Sequence, residues 1–172
     1  MGAYDQMRTA RLVLRRWDRS DRAPFAEVNA SPVVMEHFPT TLSAAESDAF
    51  VDRIEAHFDE HGYGLWAVEI GGVFAGFTGL IWQHGLPVDP ALEVGWRLQN
   101  RYWGHGYATE AARAALEVGL EVAPSVLSVT AVANDRSWHV MERLGMQRVG
   151  EFDHPRVPVG HRLRPHYLYQ TP

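Results

Sequence analysis

The sequence predicts a mixed α/β domain of 172 residues built around a β-sheet. Short segments that alternate apolar and polar residues indicate strands, and longer segments with apolar residues at helical spacing indicate helices. Their order along the chain is β-α-α-β-β-β-α-β-α-β-β, which favours helices packed on a sheet. The length suits one hydrophobic core, and no internal repeat or linker divides it, so we expect a single domain over residues 1–172.

The first half of the chain predicts a strand, two helices and a hairpin. Residues 11–17 alternate apolar and polar side chains as a strand does, and a short helix follows over residues 18–29. Residues 31–41 form a connector that is apolar but interrupted by prolines. This connector separates the first helix from the second.

The second helix and the hairpin have clear boundary signals. A capping box that begins at Ser43 opens the helix, and Gly62 ends it. Gly71-Gly72 then supplies the turn between two apolar strands, residues 64–70 and 73–82. We therefore expect these two strands to be antiparallel neighbours.

The second half of the chain alternates strands and helices. The predicted elements are a strand at 91–99, a helix at 108–122, a strand at 126–132, a helix at 134–144 and two closing strands near 146–152 and 166–170. In the 91–99 strand, Glu93, Gly95 and Arg97 share the face opposite Leu92 and Val94. Glu93 is the acidic residue of this strand, so its carboxylate faces either a cleft or a partner.

Small residues form one stripe of the helix at 108–122. They recur at helical spacing and predict very close packing of the helix on the sheet: Ala108, Ala111, Ala112, Ala115, Gly119 and Val122. Asn134 is a favourable N-cap for the next helix, and Gly145 is suited to end it.

Composition and charge exclude several classes of protein. The chain has no cysteine, which excludes disulfides and an acyl-cysteine mechanism and suits a reducing, cytoplasmic location. The net charge of −5 argues against a general nucleic-acid-binding surface. No apolar run approaches the roughly 20 residues that span a bilayer, and the N-terminus lacks a signal-peptide pattern.

The segment RYWGHGYATEA, residues 101–111, places two glycines at the start of the predicted helix. Unpaired N–H groups at a helix N-terminus bind anions, phosphate above all. Gly104 and Gly106 therefore predict either an anion site or an ordinary tight turn. A dinucleotide-binding fingerprint fails because Thr109 occupies its third glycine position, and no Gly-Lys-Ser/Thr follows as in a P-loop.

The spacing Arg101-x-x-Gly104-x-Gly106 resembles the motif Q/R-x-x-G-x-G/A, with which the GNAT superfamily of N-acetyltransferases binds the pyrophosphate of acyl-CoA. The E-V-G-W segment at 93–96 is similar to the fourth strand of that family. Asn134-x-x-Ser137, followed by L-G-M, is similar to its later N-x-x-S/A segment.

The two ends of the chain narrow the resemblance. TARLVLRRW at 9–17 and RPHYLY at 164–169 are similar to the Rim-type branch, the RimJ/RimL-like ribosomal-protein N-terminal acetyltransferases. The resemblance covers essentially the whole chain. It implies the GNAT acyl-CoA N-acyltransferase fold, a central, mostly antiparallel sheet flanked by about four helices, with acetyl-CoA as co-substrate and no metal.

The resemblance also implies roles for individual residues. Glu93 would be the general base, taking the amine proton directly or through water. The backbone of Gly95, Trp96, Arg97 and Leu98 would hold the pantetheine arm, and the amide near Trp96 would stabilise the oxyanion. The pyrophosphate would lie on the segment that comprises Arg101, Tyr102, Trp103, Gly104, His105, Gly106, Tyr107 and Ala108.

Asn134 and Ser137 complete the implied site. Asn134 would contact the pantetheine or the acceptor, and Ser137 would donate a hydrogen bond to the departing CoA sulfur. Many relatives carry a tyrosine as general acid four residues after the Ser/Ala position, and this chain has Met141 there. The acid role therefore falls to Ser137 or to water.

The acceptor side is less specified by the sequence. The branch tends to form its acceptor pocket from the 31–41 connector, which makes Met35, His37, Phe38 and Trp82 candidate walls or plain core residues. The leading acceptor is the N-terminal α-amine of a protein or peptide. A small-molecule amine and a non-catalytic acyl-CoA-binding module are the alternatives, and the chain is expected to be a monomer or a homodimer.

One rival motif remains. His57-Phe-Asp-Glu-His61 matches H-x-x-E-H, the inverted zinc-protease signature. Gly62 follows directly, so the second histidine would lie on a fraying last turn. The apolar spacing of Ile54 and Phe58 favours a core-facing helix over a zinc site.

Overall fold

The computed structural model describes Gly2 and residues 4–172. Its eight strands form one mixed sheet in the order β1-β2-β3-β4-β5-β6-β8-β7. The strands are β1 (Gln6–Arg8), β2 (Leu12–Arg15), β3 (Leu65–Ile70), β4 (Val73–Gln83), β5 (Ala91–Leu98), β6 (Leu127–Ala131), β7 (Gln147–Asp153) and β8 (Pro165–Gln170). All neighbouring pairs are antiparallel except β5 and β6.

The described residues form four α-helices that flank this sheet, as the sequence predicts. They are α1 (Arg22–Ala30), α2 (Ala44–His61), α3 (Tyr107–Val122) and α4 (Asp135–Arg143). Ser43 and Glu46 form the expected capping box on α2, and Gly62 ends the helix with φ 76°. The short edge strand β1 was not predicted, because three residues with two polar side chains give no measurable alternation.

The core lies on both faces of the central strands. On one face, α1 and α2 contribute Phe25 and Phe50, whose rings both pack at 5.8 Å from that of Phe77 on β4. On the other face, Gly119 of α3 approaches Leu80 of β4, where an added Cβ would lie 3.0 Å from a Leu80 methyl. The absence of a side chain at Gly119 therefore sets how closely α3 packs on the sheet.

The stripe of small residues on α3 is buried over most of its length. Ala111, Ala112 and Ala115 are fully buried. Val122, predicted to share this face, is instead 38% exposed, so that part of the prediction is wrong. The helix ends at Val122, and the residues after Gly119 in its last turn are exposed.

The parallel pair β5–β6 opens the sheet. These strands share one register position in the described structure, Glu93 opposite Leu127. The Ser128 hydroxyl then donates to the Val94 carbonyl at 2.8 Å, and further along β5 the two strands diverge. This divergence exposes the backbone of β5 to a cleft. Across residues 2 and 4–172, no helix combines the length and apolar character that a membrane crossing requires.

Candidate active site

A cleft of about 1180 Å³ occupies the gap where β5 and β6 separate. Its walls come from β5, the turn before α3, the first turns of α3 and α4, and the connector after α1. The predicted site residues that line it are His37, Phe38, Glu93, Trp96, Arg97, Leu98, Tyr102, Trp103, Gly104, Gly106, Tyr107, Ala108, Asn134 and Ser137. Residues from distant parts of the sequence thus meet in one cavity.

The glycine turn forms one end of the cleft. Gly104 and Gly106 have φ of 78° and 79°, which side chains with a Cβ rarely adopt. Gly106 is the N-cap of α3 and, having no side chain, makes no capping hydrogen bond. The N–H groups of the first turn of α3 consequently point from the positive end of the helix dipole into the cleft, a suitable site for phosphate.

Arg11, at the start of β2, holds this turn in place. Its guanidinium donates to the His105 carbonyl at 2.9 Å and to the Glu110 carboxylate at 2.6 Å. It also lies 4.5 Å from the centre of the Tyr107 ring. The sequence did not reveal this role, because the partners lie about a hundred positions away along the chain.

Glu93 lines the cleft from β5, at the register position that β5 shares with β6. Burial raises the pKa of its carboxyl to about 7, although the Gln83 side chain and the Val129 amide hydrogen-bond to it and lower the pKa. A carboxylate with a pKa near neutrality can both accept and release a proton under physiological conditions. This is the protonation behaviour expected of a general base.

Asn134 and Ser137 are held together at the first turn of α4. The Asn134 Oδ1 accepts from the Ser137 amide at 3.4 Å, and its Nδ2 donates to the Ser137 Oγ at 3.1 Å. The serine hydroxyl therefore accepts one hydrogen bond from Asn134 and keeps its own proton to donate into the cleft. Met141, one turn later, is 1% exposed and contributes an apolar wall.

The match to a family model decides the identity. The model for the acetyltransferase (GNAT) domain matches residues 11–147. The chain belongs to the GNAT acetyltransferase family.

Curated relatives and solved structures agree with this assignment. Among relatives from Bacillus subtilis, the uncharacterized N-acetyltransferase YnaD is 28% identical over 168 residues, covering 94% of this chain and 93% of YnaD. The uncharacterized protein YkkB is 28% identical over 151 residues, covering 85% of this chain and 87% of YkkB.

Two solved structures illustrate the likeness. A GNAT-family acetyltransferase from Bacillus anthracis superposes with a TM-score of 0.79 at 24% identity, covering 96% of both chains. The ribosomal-protein α-N-acetyltransferase RimL, solved in complex with coenzyme A, superposes with a TM-score of 0.74 at 17% identity, covering 94% of both. At these identities the likeness establishes the fold.

Four predicted site residues lie elsewhere in this GNAT domain. Arg101 is exposed beside a small hollow next to Pro24, and its guanidinium stacks 4.8 Å from the Tyr102 ring. The motif spacing does not specify on which side of the short 3-10 turn before Trp103 the side chain emerges. His105 contributes its carbonyl to Arg11, while its ring packs 5.6 Å from that of Tyr107.

The two other displaced residues belong to the acceptor prediction. Met35 is 4% exposed and lies in the core, because the connector turns over residues 32–37 and directs it inward. Strand alternation directs Trp82 away from the face that its neighbours on β4 present to the cleft. Its indole N–H instead donates to the Tyr63 hydroxyl at 3.0 Å.

The cleft contains cationic side chains that the motif did not predict. Arg113 and Arg143 line it beside the glycine turn, and Arg113 donates to the Arg143 carbonyl at 3.0 Å. Arg113 lies two helical turns into α3, on the helix whose N-terminus faces the cleft. Steps of three and four residues from Gly106 lead to position 113, so the helical spacing alone could have indicated that Arg113 shares the face of Gly106.

The H-x-x-E-H segment is occupied by structural hydrogen bonds. His57 Nδ1 lies 2.9 Å from the Tyr63 carbonyl, and Nε2 accepts from the Trp82 amide at 3.3 Å. Both ring nitrogens are thus engaged, which leaves no lone pair for a metal. In the described part of the chain, no group of three or more His, Cys, Asp or Glu side chains could hold a metal ion.

The cleft fits acetyl-CoA, the donor that GNAT acetyltransferases use. The uncapped start of α3 and Arg113 would bind the pyrophosphate, and the exposed backbone of β5 would bind the pantetheine arm. When bound, acetyl-CoA would supply an activated thioester carbonyl for the acceptor amine. The volume and the charge distribution of the cleft both suit this elongated, anionic ligand.

Replacing Arg113 with glutamine should weaken acetyl-CoA binding about tenfold, since a charge-assisted contact to phosphate contributes roughly 1.5 kcal/mol. Arg101→Gln is the matched control, because that guanidinium stacks outside the cleft, and it should change the dissociation constant less than about twofold. Isothermal titration calorimetry measures both. Equal losses in the two variants, or a larger loss for Arg101→Gln, would contradict this assignment of the phosphate-binding charge.

Proposed function

We propose that this GNAT acetyltransferase transfers acetyl from acetyl-CoA to the N-terminal α-amine of a protein or peptide. The observation that supports the acceptor class is the pKa of Glu93, raised to about 7. An α-ammonium group titrates near 8 and a lysine ammonium near 10.4, so an α-amine gives up its proton to this carboxylate at a much lower cost. This comparison of pKa values supports an α-amine over an alkylamine as the acceptor.

The residues of the cleft divide the reaction between them. The uncharged acceptor amine attacks the acetyl carbonyl directly within a ternary complex, which forms the C–N bond and a tetrahedral oxyanion. Glu93, ionised above about pH 7, takes the proton that the nitrogen then loses, and collapse of the oxyanion breaks the C–S bond and releases CoA as a thiolate. The β5 amide near Trp96 stabilises the oxyanion, and the Ser137 hydroxyl, oriented by Asn134, donates to the departing sulfur.

The Rim-type assignment is part of this proposal. RimL, whose fold this chain shares, is a ribosomal-protein α-N-acetyltransferase. The resemblance of residues 9–17 and 164–169 to that branch supports an α-amine acceptor. The proposal extends to an acceptor that enters from the side of the 31–41 connector, whose His37 and Phe38 line the cleft.

An acceptor screen tests the proposal. With acetyl-CoA as donor, thiol release should occur with short peptides that carry a free N-terminus and should be absent with the same peptides after N-terminal acetylation. Polyamines, free amino acids and lysine side chains on blocked peptides form the comparison set. Thiol release with a small amine and with none of the peptides would overturn the acceptor class while leaving the acetyltransferase activity established.

A further inference from the structure

Two buried side-chain nitrogens in the cleft have no hydrogen-bond partner. Across the described residues, the buried side-chain polar atoms that lack a partner are His37 Nδ1 and Arg97 Nε. Both residues line the cleft. Because nearly all buried polar groups in folded proteins are hydrogen-bonded, two unsatisfied nitrogens in one cavity point to a ligand that completes them.

Arg97 is a cation without a carboxylate partner in the described structure. Its Nη1 donates to the Asn29 Oδ1 at 2.6 Å, and Asn29 is in turn fixed by the Ser47 hydroxyl at 2.9 Å. The Phe38 and Phe77 rings lie 4.4 and 5.4 Å from the guanidinium carbon. Burial lowers the pKa of Arg97 to about 10, so the group remains charged at neutral pH.

Burying the Arg97 charge without a carboxylate partner is costly for folding, and this cost points to a role in binding. A buried charge that lacks an opposite charge destabilises a protein, and a neutral amide such as Asn29 compensates it only in part. The Asn29–Ser47 pair fixes one edge of the guanidinium and leaves the rest of its donors for a ligand. A planar fork of this kind matches a carboxylate.

Charged groups of both signs surround His37, whose Nε2 lies 3.8 Å from the Glu36 carboxylate. Burial is the main cause of its lowered pKa, and the nearby Arg136 and Arg162 lower it further, while Glu36 and Asp135 act in the opposite direction. The Glu36 carboxylate already accepts from Arg136 at 3.3 Å. Arg162 donates to the Glu36 carbonyl at 3.4 Å, which brings a second guanidinium to this rim. Two guanidinium groups thus lie at this mouth of the cleft, together with the carboxylates of Glu36 and Asp135.

The floor between Arg97 and the general base is open. Glu93, Gly95 and Arg97 lie on one face of β5, paired with Ile81, Gly79 and Phe77 of β4. A Cβ added to Gly95 would have no atom within 4 Å. A ligand can therefore lie over Gly95 and reach both charged residues.

We propose that Arg97 and His37 bind a carboxylate of the acceptor whose amine lies at Glu93, which makes Arg97 a specificity-determining residue for acidic acceptors. The inference rests on the proposed function and narrows its substrate class. The Cα atoms of Glu93 and Arg97 are about 13 Å apart in an extended strand. An acidic side chain on the first or second residue of a peptide spans this separation better than the α-carboxylate of a free amino acid, which is adjacent to its amine.

Matched peptides test the carboxylate directly. Ser-Glu-Ala-Ala-amide and Ser-Gln-Ala-Ala-amide differ in one charged group, and Glu-Ala-Ala-amide and Gln-Ala-Ala-amide repeat the comparison at the first residue. We expect kcat/KM to be roughly 10- to 100-fold higher for the acidic member of at least one pair, as for a charge-assisted hydrogen bond. Free glutamate and free glutamine are assayed in parallel, and they show whether the recognised carboxylate belongs to an amino acid rather than to a peptide.

Variants of the arginine separate recognition from structure. In Arg97→Gln the acidic-to-neutral ratio should fall to about one, and Arg97→Lys, which keeps the charge without the fork, should retain an intermediate ratio. Arg148→Gln is the control, since that guanidinium also stacks on an aromatic ring, at 4.6 Å from Tyr167, on a strand away from the cleft. A purely structural role for Arg97 would lower both rates and leave their ratio unchanged.

The outcomes distinguish this inference from the proposed function. Peptide acetylation with equal rates for acidic and neutral members overturns the carboxylate site and leaves the α-amine acceptor standing. Acetylation of glutamate alone overturns the peptide acceptor and supports the carboxylate site. If no amine is acetylated, calorimetry with coenzyme A and the N-acetylated product peptides decides, because equal affinities for the acidic and neutral products overturn the site.

Discussion

Replacing Glu93 with glutamine should lower kcat about 10²- to 10³-fold, the range that a positioned general base contributes. The amide keeps the shape of the side chain but cannot take a proton from the acceptor. Acetyl-CoA binding should remain within about twofold of wild type, because the binding energy comes from the helix N-terminus and Arg113. Steady-state thiol release and calorimetry measure the two quantities on the same preparation.

A second carboxylate in the cleft supplies the control. Glu117 lines the cleft from α3 and is exposed, so Glu117→Gln removes the same charge without touching the buried base. Its kcat should stay within about threefold of wild type, as expected for a screened surface charge. Equal kcat for wild type and the Glu93 variant would remove Glu93 from the mechanism.

The second large effect is on stability and arises at Gly76 of β4. Gly76 has φ 136°, and an added Cβ would lie 2.1 Å from the Arg97 carbonyl oxygen and 2.8 Å from the Leu98 Cα. Both contacts are with backbone, which cannot rotate away as a side chain can. Gly76→Ala should therefore lower the free energy of unfolding by about 3 kcal/mol, from a strained φ combined with overpacking.

Urea denaturation followed by circular dichroism measures this loss. Gly150→Ala on β7 is the matched control, because its added Cβ would meet no atom within 4 Å and its φ is not positive. That variant should change stability by less than about 1 kcal/mol. A Gly76 variant as stable as the Gly150 variant would show that β4 and β5 adjust at Arg97 without cost.

The sequence predicted those parts of the fold that depend on local signals. Capping residues, turn glycines and alternation located the four helices and all strands except β1, because each signal acts within a few residues. The turn at Gly104 and Gly106 was predicted for the same reason. Its positive φ values are a requirement that only glycine meets easily.

The sequence could not predict contacts that are made across the chain. Arg11 holds the glycine turn from the position directly before β2, and Arg97 bonds Asn29 from a position 68 residues away. Neither pairing leaves a local pattern in the sequence, since each depends on which elements of the fold become neighbours. Arg101 was predicted to lie in the site from the spacing of the motif. Spacing alone does not give the direction of a side chain at a turn, and the Arg101 guanidinium lies outside the cleft.

The pH dependence of catalysis tests most directly whether Glu93 is the base. With an N-terminal peptide acceptor, the wild-type rate should rise with pH through about 7, because the raised pKa of Glu93 means that its active, ionised form accumulates only there. In Glu93→Gln this limb should disappear and leave only the titration of the acceptor amine near 8. The same limb near 7 in both enzymes would contradict the mechanism.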